Sequence, residues 1–188
     1  LDLWDTGIQD ARALACLIDD PKKVTEDQLE RWAGDFDNWA ICDSTCGHLF
    51  SRTPLAYGKV REWCGREQEF VKRAGIVLIA WLSVHDKNAE DQKFAEFLPL
   101  IESLADDERN FVKKAVNWSL RQIGKRSLSL NILAIETAER IRRRDSKAAK
   151  WIATDALREL RSHQVADRLN KMANRRTPKS TNPIDKHC

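Results

Sequence analysis

The sequence predicts an all-α protein, an α-solenoid of stacked helix pairs, and three observations carry that reading. Only 7 Gly and 5 Pro occur in 188 residues, too little punctuation for a many-turned β-sandwich or barrel. Apolar residues recur at helical spacing between short polar linkers. A short motif returns at nearly fixed intervals along the chain, each time inside a helical stretch.

The elements follow in order. Asp19-Asp20-Pro21 makes a turn, after which Thr25-x-x-Gln28 forms a capping box opening a short helix to Ala33. Asp35 caps a helix running to about Phe50, which Arg52-Thr53-Pro54 ends. Pro54 then takes the tolerated first position of the next helix, and Gly65 closes it. Further helices are expected over 67–83, 88–104, 107–123, 128–144 and 146–161, with a frayed helix and a disordered tail beyond His163. Residues 1–161 therefore form the repeat domain and 162–188 a basic C-terminal tail.

The repeat specifies the solenoid. Phe70-Val-Lys-Arg-Ala74 returns as Phe111-Val-Lys-Lys-Ala115, 41 residues on, and Ile152-Ala-Thr-Asp-Ala156 lies another 41 residues further. Phe36-Asp-Asn-Trp-Ala40 precedes the Phe70 unit by 34 residues, and Ala11 is a weaker fifth member, 29 residues before Ala40. A helix pair at this period, with a small residue fixed in its second helix, is the signature of HEAT-like repeats, in which close helix approach needs a methyl group. Second helices of such a stack line a concave groove. Residues i and i+4 share a helix face, so the position before each repeat alanine and the one four later form a stripe across that groove. It reads Trp39 and Asp43, Arg73 and Val77, Lys114 and Trp118, Asp155 and Glu159.

Composition narrows the function. With 42% hydrophobic and 32% charged residues, the chain is neither a disordered polyelectrolyte nor a membrane protein. Its longest strongly apolar stretch, Ala74 to Val84, has 11 residues, against roughly 20 for a spanning helix. There is no Gly-rich phosphate loop. Five cysteines without a Cys-x-x-Cys pair or a signal peptide fit a reducing, cytoplasmic interior, nucleoid-associated if the source is bacterial. Residues 1–69 carry 8 Lys and Arg against 14 Asp and Glu, whereas residues 70–188 carry 24 against 15. The C-terminal part is basic enough to attract a polyanion, although solvated helix faces give the same balance.

Within the stripe, each tryptophan shares its face with a charged side chain, which sets Trp39 and Trp118 apart from the packing roles expected of Trp4, Trp32, Trp63, Trp81 and Trp151. Asp43 lies mid-helix beside Ile41, Cys42 and Cys46, where aspartate is a poor helix former. Arg73 can bridge to Asp43 or Glu69, or bind phosphate. Cys42, Cys46 and His48 lack a second ligand pair at matching spacing and read as helix-packing residues, so no metal is expected. His85 and His163 have no nucleophile near them in sequence.

The segments Phe36-Asp-Asn-Trp39-Ala-Ile-Cys-Asp43, Phe70-Val-Lys-Arg73-Ala and Phe111-Val-Lys-Lys-Ala-Val-Asn-Trp118-Ser-Leu-Arg121-Gln together resemble the AlkD family of DNA alkylation-repair glycosylases, over roughly residues 1–161. The chain starts at Leu1 already in helical pattern, so the family's first helices are expected to be missing. The resemblance implies a HEAT-like stack that removes cationic alkylpurines such as 3-methyladenine and 7-methylguanine from duplex DNA, without drawing the base into a pocket. It further implies that Trp39 and Trp118 pack against the DNA backbone around the lesion, that Asp43 is the catalytic carboxylate, and that Arg73 binds phosphate. Gly75 and Asn117 depart from the expected pattern of helix-favouring residues.

The chemistry agrees. Alkylation at N3 or N7 makes the purine a good leaving group that needs no general acid, so what must be stabilised is a sugar with oxocarbenium character, a task for a carboxylate. Asp43 supplies that charge and can orient water. Arg73 and Lys114, with Lys72, Lys113, Arg121 and Lys125, are expected to bind phosphates. The expectation is a monomeric glycosylase acting on alkylated double-stranded DNA, without metal, cofactor or membrane. The alternatives are a non-catalytic solenoid binding damaged or branched DNA, or a HEAT scaffold for a protein partner.

Overall fold

The computed structural model describes residues 2–176. Among these residues there are twelve α-helices, one 3₁₀ turn and no strand. The chain runs through α1 (Asp2–Asp5), α2 (Gln9–Ile18), α3 (Glu26–Gly34), α4 (Trp39–His48), a 3₁₀ turn (Phe50–Arg52), α5 (Ala56–Cys64) and α6 (Glu69–His85). It continues through α7 (Asp91–Ala95), α8 (Leu98–Ser103), α9 (Asn110–Gly124), α10 (Leu128–Arg142), α11 (Lys147–Leu160) and α12 (His163–Arg176). The helices stack as a HEAT-like solenoid. Helices α2, α4, α6, α9 and α11 pack side by side in sequence, each neighbour against the next. Their partners α1, α5, α8 and α10 back α2, α6, α9 and α11 in turn.

The repeat alanines mark these crossings. Ala74, Ala115 and Ala156 are fully buried where second helices meet, while Ala40, in the first turn of α4, is half-buried. Side-chain hydrogen bonds to neighbouring carbonyls tie the row together. Cys42 Sγ donates to Phe70 at 3.6 Å and Cys46 Sγ to Ala74 at 3.8 Å. Ser119 Oγ donates to Ile76 at 2.6 Å, and Asn117 Nδ2 to Ile152 at 3.1 Å. Asn117 is therefore no defect: it satisfies its amide across the α9–α11 contact at some cost in helix propensity. Gly75 has a similar reason. A Cβ there would stand 2.7 Å from the Cys64 backbone nitrogen and 3.0 Å from Trp63 Cβ, so its absence lets α5 end against α6.

Several boundaries differ from the sequence reading. The N-cap of α4 is Asn38, whose Oδ1 accepts from Ala40 N and Ile41 N at 3.0 and 3.1 Å; Asp35 instead follows α3 as its C-cap. The helix expected over 88–104 is two. Pro99 has no N–H to give the Ala95 carbonyl, so α7 stops at Ala95 and α8 restarts at Leu98 with Pro99 in its first turn. Pro54 lies two residues before α5 rather than at its first position. The segment after His163 is a full helix over 14 residues, anchored by buried Val165 and Leu169. The expected disordered tail beyond Arg176 lies outside the described residues.

No helix of the described residues is long and apolar enough to cross a membrane.

Candidate nucleic-acid interface

The stripe predicted from the repeat register lies along the row of second helices. Trp39 is the first residue of α4, capped by Asn38, and the residue is 54% exposed. One turn on, Asp43 has a side chain only 19% exposed. Its carboxylate is gripped from α6: Arg73 Nε donates to Oδ1 at 2.8 Å and Nη2 to Oδ2 at 2.7 Å. The third arm of the guanidinium, Nη1, donates to the Phe111 carbonyl at 2.5 Å, reaching α9. Three helices therefore meet on one buried arginine, whose residue is 6% exposed.

Burial raises the Asp43 carboxyl above its ordinary value, and the hydrogen bonds and charge of Arg73 pull the other way. The fork-on-fork geometry is that of an ionised carboxylate accepting two parallel bonds. A phosphate could reach Arg73 only by displacing Asp43 or the Phe111 carbonyl.

On α9, Lys114 is exposed and Trp118, one turn further, is half-buried. The Trp118 ring meets Trp81 of α6 edge to face, with centroids 6.2 Å apart and planes at 80°. Trp81 stacks on His85 at 4.9 Å and lies directly over Gly47, one turn after Asp43, where any Cβ would enter the indole. Trp81 thus connects Trp118 back to the Asp43 helix, a role the sequence reading missed. The signal was present: Trp81 stands eight residues after Arg73, two turns along the same face, but inside the apolar run from Ala74 to Val84 it reads as core.

The other nominated cations are mostly engaged. Lys72 lies 3.9 Å from Asp107, and Lys113 sits 5.4 Å from the centroid of the Trp151 ring. Lys125 Nζ donates to Glu159 at 2.7 Å, and Arg121 bonds the same carboxylate while approaching Asp155 at 3.9 Å. Burial works to raise Glu159, but Lys125 and Arg121 outweigh it and hold the carboxyl below its usual value. Among the nominated cations, Lys114 alone has no side-chain partner within the described residues.

The cysteines are packing groups. Burial pushes Cys16 up to about 11 and Cys64 up to about 12, far from a reactive thiolate. No cluster of three or more His, Cys, Asp or Glu suited to a metal ion occurs among the described residues.

The comparisons with known proteins bear on the family and the fold. The family model described as DNA alkylation repair enzyme matches residues 1–160. One solved structure is described as a new family of proteins related to the HEAT-like repeat DNA glycosylases with affinity for branched DNA structures. It is similar to this chain with a TM-score of 0.67 and 22% identity, covering 84% of this chain and 72% of that one. At that identity the likeness shows the fold alone. No curated protein matches.

Proposed function

The chain belongs to the DNA alkylation repair enzyme family, and on that footing we propose that it is a DNA glycosylase releasing cationic N3- or N7-alkylated purines, such as 3-methyladenine and 7-methylguanine, from duplex DNA. The observation that carries the reading is the Asp43–Arg73 pair: a part-exposed carboxylate, held by two parallel hydrogen bonds, one helical turn from the exposed Trp39 indole.

The reaction asks for little else. The N-glycosidic bond breaks and its electron pair leaves with the base, which becomes neutral, while positive charge develops on the sugar. Asp43 faces that charge as a fixed anion in a poorly solvated setting, where it stabilises the transition state more than it would in water. Water then adds to C1′ and loses its proton to Asp43 or to solvent, leaving an abasic site. Arg73 is a positioning residue: it keeps the carboxylate ionised and aimed. The faces of Trp39 and Trp118 border the sugar and favour its cation by about 0.5–2 kcal/mol each. Lys114 is the readiest phosphate partner, with Lys72, Lys113, Arg121 and Lys125 adding positive field around it.

A second reading is favoured by the occupancy of both Asp43 oxygens and by the branched-DNA affinity of the similar protein: a solenoid that binds DNA junctions without catalysis. One assay separates the two. Release of 7-methylguanine from a methylated duplex is measured under single turnover for the wild type and Asp43→Asn. The glycosylase reading expects unchanged duplex affinity and release slowed by at least about tenfold, or 1.4 kcal/mol. Equal rates would remove Asp43 from the chemistry. No release by the wild type, with tighter binding to a four-way junction than to linear duplex, assigns the second reading.

A further inference from the structure

If the cations nearest Asp43 are largely committed to carboxylates, the duplex backbone needs uncommitted charge elsewhere, and one cleft supplies it. We propose that the cleft between α12 and the C-terminal ends of α6 and α9 is a phosphate-binding subsite for the DNA backbone, separate from the base-release site. The inference rests on the DNA-binding part of the reading above and not on catalysis.

The cleft measures about 40 Å³, room for a few water-sized groups and not for a purine ring. Lys87, Lys125, Arg126 and Arg168 line it, with Gln122 and Met172, and no carboxylate does. Not all four cations are free. Lys125 is bonded to Glu159 at 2.7 Å. Arg126 is spent on the Ser83 carbonyl at 2.9 Å, the Ala89 carbonyl at 2.5 Å and Asp91 at 3.2 Å. Lys87 and Arg168 are exposed residues whose side chains have no partner among the described residues. Of the nearby acids, Asp86, beside Lys87, accepts from Tyr57 at 2.7 Å and Asp91 holds Arg126, while Asp167, beside Arg168, lines the adjoining hollow and not the cleft. Two free cations, two engaged ones and the Gln122 amide line one cleft, a setting that an anion would complete.

The position fits a backbone phosphate further along the duplex from Asp43, since Ser83 of the cleft stands about 15 Å along α6 from Arg73. Gln122 is one turn beyond Trp118 on α9 and Lys125 one turn beyond Arg121, so the cleft continues the line of the stripe. Helix α12, which supplies Arg168, lies beyond the 1–160 span of the family match. Lys171 and Arg175 extend its basic side past the cleft.

Binding of a fluorescein-labelled, unmodified linear duplex tests the assignment, measured across a salt series for the wild type, the full-length double variant Lys87→Gln/Arg168→Gln, and a control, Lys147→Gln, on exposed α11 surface. Each phosphate contact contributes about 0.9 to the slope of log affinity against log salt. The double variant is expected to lose at least about 0.9 of that slope, with the control unchanged and circular dichroism confirming that both remain folded. The rate of 7-methylguanine release at saturating DNA should stay at the wild-type value. A slope equal to wild type in the double variant overturns the subsite and leaves the glycosylase reading intact. A wild type whose duplex binding has no salt slope overturns both, whereas missing base release with a reduced slope removes only the catalysis.

Discussion

Asp43 shows how one side chain can be both costly to the fold and useful to the chemistry. Burial raises its carboxyl and Arg73 opposes that rise, so the acid limb of base release should lie above the ordinary aspartate value. Below that limb the rate should fall tenfold per pH unit, because only the ionised form faces the sugar cation. Arg73→Gln removes the opposing charge and leaves burial unbalanced, so the limb is expected to move to higher pH, and single-turnover release across pH reads it. A limb that stays put or moves down would show that Arg73 does not set the state of Asp43. The sign for stability runs with the same shift. A raised carboxyl disfavours the folded state once ionised, a cost absent below the unfolded value and complete above the folded one. The stripe was legible because i, i+4 spacing follows from helix geometry alone. That Arg73 would turn inward was one of two readings, and only the third partner, the Phe111 carbonyl, makes the inward reading compelling, since backbone carbonyls leave no mark in a sequence.

At the scale of the element, helix ends and close crossings decide what the pattern leaves open. Two capping residues stand three apart at Asp35 and Asn38, and both are used, one to end α3 and one to start α4. Periodicity could not choose between them. The break at Pro99 was readable in principle, but a proline one residue into α8 looks the same in sequence as one inside a continuous helix until the chain must turn. The outer pair α3–α5 is locked by a side chain that no motif announced. Lys59, nearly buried, donates to Glu26, Glu30 and Glu62 at 2.6–2.7 Å; burial works against its charge, and the three carboxylates outweigh it and raise its pKa. Gly75 supplies the test at this scale. Replacing it with Ala gains about 1 kcal/mol of helix propensity but drives a methyl into the Cys64 backbone and Trp63, an overpacking that costs about 1–3 kcal/mol. The clash is with backbone and should win. Gly75→Ala is therefore expected to lower the urea midpoint at unchanged slope, and an unchanged or higher midpoint would mean that α5 can yield.

Over the whole molecule, stability and DNA affinity are distributed differently. In a stack where each unit touches only its neighbours, the last described helix, α12, is cheap to lose, whereas α6, wedged among α4, α5 and α9, is the least dispensable of the described helices. Helix α12 anchors itself through Val165 and Leu169, each worth about 1.5–3 kcal/mol when buried. The conformational entropy lost in ordering its 14 residues opposes that gain and the hydrogen bonds of the helix, so α12 adds little net stability. Its charges have no such offset: Arg168, Lys171 and Arg175 stand on the basic part of a chain whose first 69 residues are acidic. A chain ending at Ser162 is therefore expected to unfold in one cooperative step, less stable by no more than about 3 kcal/mol. Its salt slope for duplex binding should fall further than in Lys87→Gln/Arg168→Gln. Urea unfolding reads the first quantity and duplex titration the second. If the shortened chain instead loses cooperativity while keeping the full salt slope, α12 is a keystone of the stack, and the charge that holds DNA lies elsewhere along the inner row.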